Sequence, residues 1–118
     1  MSDGPMADGI PEVDATEAAR LAEEGALLLD VRETVEWDAG HAPRATLLPM
    51  SRLQDEQHVI PRDRKIVAVC RSGARSGRVT LALNAAGYDA VNVAGGMQQW
   101  AARGLPVVTD AGTPGTVA

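Results

Sequence analysis

Phenylalanine is absent from these 118 residues, tyrosine occurs once and tryptophan twice. A core so short of aromatic rings must be filled by small aliphatic side chains at close range, and the abundant alanine fits that demand. Cysteine also occurs once, so no internal disulfide can form and the bridged frameworks of small secreted domains are excluded. Cations are outnumbered, 11 Lys and Arg against 16 Asp and Glu, for a net charge of −5. That balance lacks the basic stripe and aromatic platforms of a nucleic-acid binder. No apolar run is long enough to span a membrane, and residues 1–11 lack a signal-peptide core. The expectation is a soluble cytoplasmic protein with neither nucleic acid nor membrane as partner. His41, His58 and Cys70 do not have metal-ligand spacing, so neither metal nor cofactor is expected.

What remains is one domain's worth of chain, large enough for a core without cross-links. Residues 1–10 and 109–118 are rich in Gly, Pro, Ser, Thr and Asp and read as flexible tails around a folded unit at 11–108. Asp14 fits a helix N-cap with Glu17 reaching back to it, Ala18, Leu21 and Ala22 make an apolar stripe, and Gly25 ends the helix. Strands are expected at 26–31, 46–48, 66–69 and 90–93, with short helices over 34–39 and 51–57. A longer helix runs to Ala86, and a last one follows Gly95-Gly96 with Met97, Trp100 and Ala101 on one face. Strands alternating with helices predict an α/β fold, a central, mainly parallel sheet flanked by helices on both faces. In that architecture ligands bind beyond the carboxyl ends of the strands.

The lone cysteine stands at such an end. Lys65-Ile66-Val67-Ala68-Val69 is a buried-strand pattern, Cys70-Arg71-Ser72-Gly73-Ala74-Arg75-Ser76 follows, and Val79, Ala82, Leu83 and Ala86 recur at helical spacing. A strand-to-helix junction gathers backbone N–H groups and the positive end of the helix dipole. Such surroundings lower a thiol pKa, and the thiolate is the reactive form. Arg71, Arg75 and Arg78 reverse the sign of the chain's charge locally. Free cysteine is also a common core residue, but the glycine, the serines and the arginines beside this one point to a nucleophile in an anion-binding cradle.

Three strings, in order, carry a family resemblance. Asp30-Val31-Arg32-Glu33 with Trp37 and Gly40-His41-Ala42-Pro43-Arg44-Ala45 resembles the first signature of rhodanese-like domains. Cys70-Arg71-Ser72-Gly73-Ala74-Arg75-Ser76 resembles their active-site loop, and Gly95-Gly96-Met97-Gln98-Gln99-Trp100 their closing signature. The resemblance implies a single-domain sulfurtransferase of the thiosulfate (rhodanese) type. Cys70 would take a sulfane sulfur from a small anionic donor such as thiosulfate, hold it as a persulfide, and yield it to a thiol or cyanide acceptor. By position, Arg71, Ser72, Gly73, Ala74, Arg75 and Ser76 form the cradle, with Arg75 favoured for anion binding. Asp30 and Arg32, which share a strand face, and His41, in a turn, are expected in supporting roles, and Trp100 in the core beside Met97. Arg44 departs from the family pattern, which commonly has glycine there.

Other readings share the thiol. A carrier module loaded by a protein persulfide donor would use the same cysteine with little turnover of small donors. Phosphatases of the cell-cycle dual-specificity type share the fold but place five residues between cysteine and arginine. Here four separate Cys70 from Arg75, a smaller cradle better suited to a sulfane sulfur than to a phosphoryl group.

Overall fold

Strands and helices alternate along residues 9–118, the part of the chain that the computed structural model describes. In order they are β1 (Glu12–Val13), α1 (Ala15–Glu23), β2 (Leu27–Asp30), α2 (Thr34–Ala39), β3 (Thr46–Leu47), α3 (Leu53–Glu56), β4 (Lys65–Val69), α4 (Ala74–Ala85), β5 (Asp89–Val93) and α5 (Gly96–Ala102). The sheet order is β1-β5-β4-β2-β3, and every neighbouring pair is parallel. Parallel neighbours need crossovers, which the intervening helices supply. The α/β expectation therefore holds, with the sheet wholly rather than mainly parallel.

Alternation along the strands divides the core between the two faces. Ile66, Ala68 and then Cys70 join Leu29, Leu53, Val79 and Leu83 on the side of α3 and α4. Val67 and Val69 face the other way, with Ala15, Ala18, Ala22, Met97 and Trp100 from α1 and α5. Ala15 and Ala18 are fully buried, so alanine lets α1 lie close against the sheet. Trp100 packs in the same cluster as Met97, as expected, and its indole N–H donates to the Pro106 carbonyl at 2.8 Å. Asp14 caps α1 by accepting from the Glu17 amide at 2.8 Å. Glu17 does not reach back; its carboxylate is held by Arg20, one turn along.

Three features depart from the sequence reading. β1 is an added edge strand of two residues, too short to leave a periodic pattern. The stretch over 51–57 is broken into α3 and flanking 3-10 turns, where one short helix was expected, and Leu53 is buried. Residues 109–118 are docked instead of trailing as a tail. Val108 bridges to both His41 and Pro114, the Gly115 amide donates to the Val107 carbonyl at 2.8 Å, and the Thr116 amide to the Ala39 carbonyl at 2.9 Å. A Cβ on Gly40 would lie 2.5 Å from the Thr116 carbonyl oxygen, so the two backbones meet where only glycine fits. These contacts are mostly between backbones, which is why a composition poor in apolar side chains concealed them. Of the other expected tail, residues 1–8 lie outside the described residues; the expected folded unit is tied in at its first residue, where the Pro11 carbonyl accepts from the Asn92 amide at 2.9 Å.

Candidate active site

β4 ends at Val69, and the next side chain, Cys70, is 1% exposed at the floor of the turn that opens α4. Gly73, at φ +104°, lets that turn fold its amide back onto the sulfur. The Gly73 amide donates to Sγ at 3.1 Å, and the Ser76 hydroxyl approaches it at 3.3 Å. Burial pushes the thiol pKa up, but hydrogen bonds from the Ser76 hydroxyl and from the amides of Ser76, Gly73 and Ser72 outweigh it. The net direction is down, toward the thiolate.

The loop is gripped from behind by α5. The Met97 amide donates to the Cys70 carbonyl at 2.8 Å and the Gln98 amide to the Arg71 carbonyl at 3.0 Å. Gly96 makes this approach feasible, because a Cβ there would lie 2.4 Å from the Cys70 carbonyl oxygen. The closing signature therefore sits directly under the thiol loop.

The cradle residues divide by environment. Ser76 is fully buried, Arg71 and Ser72 are exposed, and Ala74 begins α4. Arg71 Nε donates to the Ala118 backbone oxygen at 2.8 Å. Arg75, favoured for anion binding, is in a two-bonded pair with Glu36, at 2.7 and 2.8 Å. That guanidinium holds the Glu36 carboxyl well below its ordinary value, at about 2. Arg78 lies exposed on α4.

Asp30 and Arg32 are both fully buried and paired, Nη2 to Oδ2 at 2.7 Å. Arg32 also donates to the Gly40 carbonyl at 2.8 Å and toward the Glu36 carbonyl at 3.4 Å, bracing both ends of the segment that carries α2. The side-chain hydrogen bonds of this pair do not reach the Cys70 loop among the described residues. His41 stacks on Trp37 with ring centroids 3.5 Å apart, Nε2 lies 2.9 Å from Asp110 Oδ1 and Nδ1 3.1 Å from the Ala42 carbonyl.

Sequence reasoning missed Glu36, Asn92 and Glu12. Asn92 Nδ2 donates to Glu12 Oε2 at 2.8 Å and to the Gly73 carbonyl at 3.1 Å, and its Oδ1 lies 2.5 Å from Ser76 Oγ. Its signal was present as an asparagine between two valines in a buried strand. Glu36 had none, since its partner lies in a different element.

Comparison with known proteins bears on this geometry. The profile of the rhodanese-like domain family matches residues 14–103. A sulfurtransferase of Allochromatium vinosum is 41% identical over 87% of this chain and 99% of its own. Thiosulfate sulfurtransferase 18 of Arabidopsis thaliana is 32% identical over 97% of this chain and 95% of its own. A rhodanese-related protein of Thermoplasma volcanium superposes with a TM-score of 0.79 at 30% identity, over 84% of this chain and 98% of its own.

Proposed function

Because the chain belongs to the rhodanese-like domain family, whose relatives here are sulfurtransferases, we propose that it moves a sulfane sulfur through a persulfide on Cys70. The donor is thiosulfate or a related small anion, and the acceptor is a thiol or cyanide. One observation carries this reading. A buried thiol, alone in the chain, is met by the Gly73 amide and the Ser76 hydroxyl, hydrogen bonds that favour the thiolate over the thiol.

The thiolate attacks the outer sulfur of thiosulfate, the donor's S–S bond breaks, and sulfite leaves with the bonding pair. The negative charge then lies on the outer sulfur of the persulfide. Cyanide attacks that sulfur, thiocyanate departs, and the thiolate returns. Loop amides and the N-terminal end of α4 face each anion in turn, in a site that needs little reorganisation. Arg71, exposed at the rim, supplies the attraction for a dianion. Arg75 contributes less net charge, because Glu36 neutralises it. With one cysteine in the chain there is no internal thiol to attack the persulfide, so the acceptor comes from outside.

A protein persulfide as donor is the second reading, and one observation favours it. Arg75, the loop guanidinium favoured for a small anion, already gives two hydrogen bonds to the Glu36 carboxylate, which neutralises it. Intact mass after brief exposure to thiosulfate tests the first reading. A gain of one sulfur atom, reversed by cyanide and absent in Cys70→Ser, is expected. No gain with thiosulfate but a gain from a persulfidated protein would move the assignment to the carrier.

A further inference from the structure

The sulfur-transfer scheme gives no task to Asn92, a buried polar side chain in contact with Ser76. Asn92 is fully buried in β5, flanked in sequence by Val91 and Val93. Strands covered on both faces normally carry aliphatic residues at such positions. Every polar atom of the side chain is engaged, Nδ2 by Glu12 and the Gly73 carbonyl, Oδ1 by Ser76. Turning the amide over would set its oxygen against the Glu12 carboxylate and the Gly73 carbonyl, all of them acceptors, so the orientation is fixed.

Ser76 then has one hydrogen and two claimants for it. Cys70 Sγ lies at 3.3 Å and Asn92 Oδ1 at 2.5 Å. The balance between them depends on where the sulfur's charge resides. On the thiolate, Sγ is an anion and draws a charge-assisted hydrogen bond. On a persulfide the charge moves to the outer sulfur, and Sγ becomes a neutral divalent sulfur, a weak acceptor. A fully buried hydroxyl facing only that sulfur would be left unsatisfied.

We propose that Asn92, anchored by Glu12, is a positioning residue for sulfur transfer, accepting the Ser76 hydroxyl hydrogen when Cys70 carries the extra sulfur and releasing it to Sγ when it does not. The inference rests on the persulfide reading above. It separates the loaded and empty states by which acceptor the one hydroxyl serves, with the Ser76–Asn92 contact lengthening when the hydrogen turns to Sγ.

Loading the protein with inorganic polysulfide tests this independently of the donor. The thiolate takes one sulfur atom, and a polysulfide dianion shorter by one leaves. Failure to load from thiosulfate alone would thus strike the donor assignment and leave this inference standing. The readout is the single-turnover rate at which cyanide removes the sulfur as thiocyanate. Asn92→Leu, which has the same branched shape and number of side-chain heavy atoms, should discharge about tenfold faster than the unaltered protein, because the loaded state has lost an acceptor. In a Ser76→Ala background the same substitution should change nothing, since the hydroxyl it serves is gone. Ser76→Ala alone should raise the pH midpoint of thiol alkylation by about one unit. Glu12→Ala should accelerate discharge less than Asn92→Leu does, with Glu12→Gln, which keeps an acceptor, restoring the ordinary rate. This pair covers the case in which Asn92→Leu does not fold. Equal acceleration by Asn92→Leu in both backgrounds would make Asn92 a structural residue and overturn the inference. So would the absence of any acceleration in Asn92→Leu and Glu12→Ala.

Discussion

Glu36 neutralises Arg75, and on the proposed reading it sets how much positive charge the loop shows to an anionic donor. Its carboxylate is 16% exposed, meets the guanidinium through two hydrogen bonds, and accepts from the Glu33 amide as part of the α2 cap. Glu36→Gln keeps an acceptor for the cap and removes the charge, so the KM for thiosulfate should fall about threefold while thiol alkylation barely changes. The same pair predicts an acid limb in stability. The folded carboxyl titrates at about 2 against an ordinary 4.5. The native state therefore binds this proton more weakly than the unfolded chain. The pair's contribution is complete above about pH 4.5 and is lost as pH falls toward 2. Circular dichroism during acid titration should show a loss on the order of 2 kcal/mol across that window, absent in Glu36→Gln. The arginine at the start of α4 was visible in the sequence, since a cation there opposes the helix dipole and asks for an anion. The anion turned out to be internal, from a segment thirty-nine residues earlier in the chain, and no local pattern marks such a partner.

Among the elements, α4 was readable from its apolar spacing and α5 from its two glycines and closing proline. How α5 serves the site was not readable. Its hold on the thiol loop consists of amides donating to the Cys70 and Arg71 carbonyls, and backbone hydrogen bonds leave no trace in side-chain identity. The glycine pair was the only hint, and it reads equally well as a simple helix start. Gly96→Ala tests the arrangement. The new methyl would meet the Cys70 and Arg71 carbonyl oxygens at 2.4 and 2.6 Å, on a residue with φ +57°. We expect a stability loss of about 2 to 4 kcal/mol by denaturant midpoint, together with slower thiol alkylation at neutral pH. Gly104→Ala, where a Cβ would meet nothing within 4 Å, controls for backbone strain alone. It should cost about 1 kcal/mol and leave the thiol unchanged.

At the scale of the whole molecule, residues 109–118 join the region around α2 to the rest of the domain. Asp110 Oδ1 accepts from Trp37 Nε1 at 3.1 Å and lies 2.9 Å from His41 Nε2. Asp110 is 68% exposed at its side chain, so its loss should cost under about 1 kcal/mol globally. Locally, Asp110→Ala should speed proteolytic nicking near Thr113 several-fold and shift Trp37 emission to the red, with Asp110→Asn intermediate. The layered fold was legible because strand and helix periods alternate cleanly through the middle of the chain. The docked segment was not, since its composition resembles that of a loose end. The clasp of α5 on the Cys70 loop also has a consequence for how the protein is made. Cys70 emerges from the ribosome well before Met97 and Gln98, and until those amides arrive its loop lacks the backbone hold on the Cys70 and Arg71 carbonyls. A nascent chain thus presents the Cys70 loop without its clasp, and the arrangement is complete only when translation has delivered α5.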